Sequence, residues 1–259
     1  MAKGASAKTR VLNLTTLLLL FSTLIILSGC AGVSEVTVSR DPKELYDKAM
    51  TAYFSYKYDD AEKYFKAVME DHPLSPYALE AQLMLGDVCY ASEKYDEANS
   101  YYTNFVALHP SHPRAPYALF QKGMSHFKDI LTIDRDQTST KKALFAFEDL
   151  KRAYPGSTYS AKAGELIKFL KKRLADREFY IARFYFKNEN YKGALSRLKD
   201  ILSDYPDAGI TDEALYYIGE SYLKLGEKKL ASDAYTTLIS NFPESPFVKD
   251  AKDSLSRVL

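Results

Sequence analysis

Two cysteines and four histidines are the side chains of this 259-residue chain best equipped for nucleophilic or metal chemistry. His109 and His112 stand three apart, a spacing that could hold a metal ion, yet each adjoins a proline and no cysteine or nearby acid completes a tetrahedral set. They read as stiffeners of a turn. Cys89 and His126 occupy equivalent positions of a repeated pattern and read as packing residues. Gly4-Ala-Ser-Ala-Lys8-Thr9 ends like a phosphate-binding loop but lacks its second glycine and a preceding strand, and Lys171-Lys172-Arg173 reads as the solvated face of a helix. No nucleophile elbow and no His-Glu-x-x-His occurs. Catalytic residues, a metal centre and a bound cofactor are therefore not expected, and the elements that carry these side chains must account for them.

Those elements repeat. Five times an alanine is followed twelve residues later by a proline: Ala61 and Pro73, Ala98 and Pro110, Ala143 and Pro155, Ala194 and Pro206, Ala231 and Pro243. Four residues after each alanine stands Phe65, Tyr102, Phe147, Leu198 or Tyr235, and three further on Val68, Phe105, Leu150, Ile201 or Leu238. Offsets of 0, 4 and 7 mark one face of a helix that the proline ends. A second small residue lies twelve positions upstream in four copies (Ala49, Gly86, Ala182, Gly219), with Gly123 displaced in the third, so another helix precedes the first. This order of small, small, aromatic and proline resembles the tetratricopeptide repeat. The fold expected is all-α, a solenoid of five helix-pair repeats over residues 42–259, with halves at about 42–159 and 160–259. Successive alanines lie 37, 45, 51 and 37 residues apart. The extra residues of the third copy fall in a polar stretch from Asp129 to Thr140, expected to be a loop. Those of the fourth fall between Ser160 and Ile181, with no breaker after Gly164, and predict one long helix joining the halves.

Ahead of the repeats, Lys3, Lys8 and Arg10 precede an apolar run from Val11 to Leu27 that leads into Ser28-Gly29-Cys30. A charged start, an apolar middle and small residues before a cleavage point describe an export signal over residues 1–29. At 17 residues the run is also near the lower limit for crossing a bilayer, so a membrane span is the alternative. Leu27-Ser28-Gly29-Cys30 resembles the lipobox of bacterial lipoproteins, in which the cysteine is acylated and becomes the first mature residue. The resemblance implies lipidation of Cys30 by a thioether-linked diacylglycerol and an amide-linked acyl chain. At about 0.8 kcal/mol per buried CH₂, these suffice to anchor a soluble domain. Ala31, where aspartate would imply retention at the inner membrane, implies the outer one. Residues 30–41 are then a lipidated tether. Without residues 1–29 the chain carries 32 basic and 34 acidic residues, a formal net charge of −2, which argues against nucleic acid as a partner. Cys89 is left as a lone thiol with no intramolecular disulfide partner.

First helices of such arrays line the concave surface, so the positions one and four beyond each upstream small residue should face it. They are Met50 and Tyr53, Asp87 and Tyr90, Met124 and Phe127, Arg183 and Phe186, Glu220 and Leu223. The first three copies present methionine and aromatic side chains, adaptable surface for a loosely ordered peptide. Met50, Tyr53, Asp87, Tyr90, Met124 and Phe127 are the expected groove. The last two copies are more charged and suit a folded partner.

Several stretches carry a closer resemblance: His109-Pro-Ser-His-Pro113, Tyr117 to Phe127, Arg135-Asp136, Leu174-Ala-Asp-Arg-Glu-Phe-Tyr-Ile-Ala182 and Tyr191 to Arg197. In order along the chain they are similar to the BamD family, lipoprotein subunits of the machine that folds β-barrels into the outer membrane. The resemblance implies a non-enzymatic scaffold on the periplasmic face, whose N-terminal repeats receive the C-terminal segments of unfolded barrel proteins. It implies docking of the C-terminal half on the periplasmic domains of BamA, with Arg197 at the contact, and other Bam lipoproteins as further partners. The chain ends soon after Pro243-Glu-Ser-Pro246, and the reading expects no long C-terminal extension. Another exported repeat lipoprotein, such as a pilus-secretin pilot or a cell-division coordinator, is the alternative scaffold. An envelope enzyme with a helical-array domain is the alternative of another class.

Overall fold

The computed structural model describes residues 41–257. The export signal and Cys30 lie outside the described residues. Eleven helices follow one another, with no strand among the described residues: α1 (Pro42–Phe54), α2 (Tyr58–Asp71), α3 (Pro76–Ala91), α4 (Tyr95–Leu108), α5 (Ala115–Lys128), α6 (Thr138–Ala153), α7 (Thr158–Lys187), α8 (Tyr191–Asp204), α9 (Thr211–Lys224), α10 (Lys228–Asn241) and α11 (Val248–Ser256). Each packs on the next, so α1 to α10 form five antiparallel pairs stacked in chain order. The last pair closes against α11, an amphipathic helix beyond the last repeat proline that the repeat pattern does not predict. Its Ala251 is fully buried beside Tyr235 and Leu238.

The alanine of each second helix is the point of closest approach. Ala61, Ala98, Ala143, Ala194 and Ala231 are wholly buried, and the large residue four positions on fills the space opposite the small residue of the first helix. A Cβ added to Gly123 would lie 2.5 Å from Phe147 Cε1, and one added to Gly219 would lie 2.3 Å from Tyr235 Cε1. Glycine is therefore imposed there by a neighbour's ring rather than by backbone angles.

Turns within the pairs share one geometry. Five residues before the alanine, Tyr56, Glu93, Glu189 and Gly226 take positive φ of 59°, 62°, 60° and 81°. The following N–H then reaches back to a carbonyl of the first helix at 2.9 Å, as from Lys57 to Ala52 and from Lys94 to Cys89. Three of the four copies accept the left-handed conformation without glycine. Turns between pairs are equally regular. His72, His109, Tyr154, Tyr205 and Phe242 each precede the repeat proline, which pushes them to φ near −133° and out of the helix.

These turns explain the histidines. His109 is one of the five ringed residues before proline, and it packs on Phe105 with centroids 5.6 Å apart. His112 replaces a serine. Ser75, Ser157 and Ser245 accept the N–H of Tyr77, Tyr159 and Phe247 through their hydroxyl oxygens, and His112 accepts the N–H of Arg114 through Nδ1 at 3.2 Å.

Both insertions fall in the expected segments, although α6 already begins at Thr138, so the loop expected to reach Thr140 is shorter. Residues 129–137 leave the helical path, and α7 runs unbroken for 30 residues. Its first half contributes Ala163, Ile167 and Leu170 to the core beneath α5 and α6, and its second half contributes Phe179 and Ala182 to the core with α8 and α9.

Candidate functional site

On the first helices of repeats one to three, side chains alternate between core and surface with the helical period. Tyr46, Met50 and Tyr53 project from one side of α1 and are partly buried against the core that α1, α2 and α3 share. The Tyr46 ring sits 5.5 Å from both Phe65 and Tyr77. Tyr53 packs on Tyr58 at 6.0 Å, and Tyr90 meets Tyr95 edge-on at 5.5 Å. Met124 and Phe127 lean on the core of the third repeat, with the Phe127 ring 5.8 Å from Phe169 of α7. Desolvation raises the pKa of Tyr53 and of Tyr90, and the charge of Asp87 adds to the effect at Tyr53. Both phenols are neutral donors over the physiological range.

Asp87 departs from its expected position on an open groove. The residue is only 7% exposed, and one carboxylate oxygen accepts the hydroxyls of Tyr102 at 2.7 Å and Tyr117 at 2.6 Å. Burial raises its pKa, while the two hydroxyls and Arg114 act in the opposite direction. Arg114, 3.9 Å from the other oxygen, is itself held by Glu80 at 2.5 Å and lies over the Tyr117 ring. The carboxylate thus ties α3 to α4 and α5 and supports the surrounding tyrosines from behind. Glu220 does the same in the fifth repeat, accepting from Tyr235 at 2.7 Å and from Ser254 of α11 at 2.9 Å. A signal for this was present in sequence: an acid one position after the glycine and a tyrosine fifteen beyond it, at Asp87 and Tyr102 and again at Glu220 and Tyr235.

Arg197 lies on α8, the second helix of the fourth pair, and binds Glu178 of α7 at 3.1 Å with its side chain 40% exposed. Cys89 is fully buried, its thiol pushed up to about 11, chiefly by burial. Nδ2 of Asn99 lies 2.8 Å from Nε2 of His126. An amide nitrogen only donates, so Nε2 is the unprotonated ring nitrogen. Burial, with Lys142 and Lys122, lowers the His126 pKa and keeps the ring neutral.

The model of one family, YfiO, outer membrane lipoproteins, matches residues 39–236, from before α1 into α10. The chain belongs to this family. Outer membrane protein assembly factor BamD of Caulobacter vibrioides is 31% identical over 228 residues, covering 86% of this chain and 75% of that protein. BamD of Haemophilus influenzae is 30% identical over 226 residues, covering 82% and 85%. BamD of Neisseria meningitidis serogroup A is 30% identical over 256 residues, covering 91% and 94%. Among solved structures, the TPR2AB domain of yeast Sti1 in complex with pHSP90 is 14% identical with a TM-score of 0.46, covering 84% of this chain and 82% of that one. The family match takes in α1 to α9 whole, α7 among them, and ends within α10.

Proposed function

We propose that the chain is a non-enzymatic scaffold of the outer-membrane β-barrel assembly machinery. Cys30, carrying a diacylglycerol and an N-acyl chain after removal of residues 1–29, holds it to the periplasmic face of the outer membrane. The tyrosine-rich first helices of repeats one to three receive unfolded barrel proteins through Met50, Tyr53, Tyr90, Met124 and Phe127, with Asp87 as their buried support. The C-terminal half docks on the periplasmic domains of BamA, with Arg197 as a charged contact, and other Bam lipoproteins join the assembly.

The observation that carries this reading is the family match, which runs from residue 39 to 236 and takes in nine whole helices of the described array. Relatives named outer membrane protein assembly factor BamD support the assembly role. The half-exposed guanidinium of Arg197, fixed at one end by Glu178, suits a second carboxylate from a partner. Affinity purification from solubilised envelopes tests the proposal. BamA should be the dominant partner of the tagged chain, and Cys30→Ser should lose incorporation of labelled fatty acid. Envelopes that yield the chain without BamA would overturn the docking.

A further inference from the structure

The two departures from regular repeat length meet in space. Residues 129–137 are folded around buried Gln137, whose amide donates to the carbonyls of Thr132 at 2.9 Å and Arg135 at 3.0 Å. The Thr140 hydroxyl donates back to Gln137 at 3.0 Å. Arg173 of α7 donates to the Leu131 carbonyl, which fastens the inserted segment to the long helix. The contact sets Ile133 beside the second half of α7 and completes a groove of about 860 Å³.

The groove has an aromatic floor. Phe179 and Phe186 both meet the Tyr217 ring edge-on, with centroids 5.5 and 5.3 Å apart. Tyr180 and Phe184 rise beside them, 51% and 62% exposed, more open than the partly buried Tyr53 and Tyr90. Charges lie along the lining helix: Asp176 towards one end, and Arg183 and Lys187 towards the other. Asp176 is already bound by Lys172 at 2.9 Å. Arg183 and Lys187 make no hydrogen bond or ion pair among the described residues, although Glu213 feels the charge of Arg183. The groove therefore offers apolar area together with two cationic side chains that no carboxylate binds among the described residues.

We infer that this groove is a second docking site, which takes a membrane-strand segment of an unfolded barrel protein with an acidic side chain set against Arg183 and Lys187. The twelve residues from Asp176 to Lys187 span about 16 Å of helix, the length of about five extended residues. Strands of such clients alternate apolar with polar side chains and carry aromatic girdles at their ends, chemistry that fits an aromatic floor with a cationic rim. The inference rests on the reading of the chain as a receiver of unfolded barrel proteins.

The test uses the lipidated full chain in nanodiscs and a fluorescent ten-residue peptide of alternating phenylalanine and serine, with one glutamate near an amidated C-terminus. Tyr180→Ala with Phe184→Ala should weaken binding about tenfold in an anisotropy titration. Both side chains are exposed, so circular dichroism should not change. Arg183→Glu with Lys187→Glu should weaken the glutamate peptide about tenfold and leave its glutamine counterpart unaffected. Full binding by both groove variants, with loss only in Tyr53→Ala with Tyr90→Ala, would overturn the second site and spare the client reading. No binding to the unaltered chain would overturn both. Binding that requires a free C-terminal carboxylate, or groove variants that change only the sedimentation of the chain, would replace the acidic strand with a chain end or a second copy and so overturn the assignment.

Discussion

The hydroxyl of Tyr102 donates to Asp87 across 2.7 Å from fifteen residues further along the chain, and both spacing and distance recur between Tyr235 and Glu220. The other three pairs have Phe65, Phe147 and Leu198 where these tyrosines stand, and there Met50, Met124 and Arg183 replace the acid. A buried hydroxyl without an acceptor costs about 1–3 kcal/mol, so acid and tyrosine occur together or not at all. Each acid also accepts from the following first helix, through Tyr117 or Ser254, and so spans the joint between repeats.

Asp87→Ala should destabilise the array by about 1–3 kcal/mol, because Tyr102 is wholly buried and would keep an unpaired hydroxyl. Asp87→Asn keeps the accepting oxygen and should cost less. The unaltered chain and Asp87→Asn should also differ in pH dependence. The Asp87 pKa is raised in the folded state, so its contribution is fully present below the unfolded value near 3.8 and is lost as pH rises through the higher folded value. Denaturant melts from pH 7 to pH 4 should show the unaltered chain gaining on Asp87→Asn as the solution is acidified. A constant difference would mean that burial does not govern this carboxyl.

Gly123→Ala should destabilise, since overpacking against the Phe147 ring costs about 1–3 kcal/mol and exceeds the gain in helix propensity, about 1 kcal/mol. The fourth pair already combines Ala182 with Leu198 at the corresponding positions. Gly123→Ala with Phe147→Leu should therefore lose less than the two single changes summed. Additive losses in thermal melts would show that ring and glycine are not coupled.

Cys89 should react very slowly with Ellman's reagent in the native state. A thiol pushed up to about 11 from 9.0 holds about a hundredfold less thiolate than a free one, and burial bars the reagent until the fold opens. Kinetics with Cys30 acylated or changed to serine, with and without denaturant, measure this. Fast native labelling would place Cys89 outside the core.

Client and BamA defects should separate. Tyr53→Ala with Tyr90→Ala should weaken an aromatic C-terminal peptide of a barrel protein by about 1–4 kcal/mol per ring and leave BamA copurification intact. Arg197→Glu places like charge beside Glu178 and should do the reverse. Equal loss of both activities in both variants, with unchanged circular dichroism, would refute the division between the halves.

Much of this architecture was legible because the repeat writes its packing in one dimension. Alanine at closest approach, a large residue four later and a proline at the turn give helix, partner and boundary without reference to distant residues. Repetition also gave α7, since an uninterrupted helical pattern needs only local evidence. Asp87 was misplaced because helical spacing alone does not reveal that a position one beyond the contact glycine can be roofed by hydroxyls from two other helices. The second groove was not legible either. Ile133 and Tyr217 are 84 positions apart, and the fastening of Leu131 by Arg173 holds the inserted segment against α7. Helix α11 was not legible because it lies beyond the last of the five alanine and proline pairs.

The length of α7 also sets an angular phase. The fourth copy is fourteen residues longer than the 37-residue copies on either end of the array, and all of that excess is helical. Fourteen residues advance the axis by about 21 Å and turn it through nearly four revolutions, short by about 40°. The C-terminal pairs are thus carried outward with almost the phase that a copy of regular length would give them. Loss of a single residue between Leu170 and Phe179 would swing one half about 100° against the other while every contact within each half survived. The helix acts as a vernier, and a chain that tolerates many substitutions along it should tolerate almost no single-residue insertion or deletion.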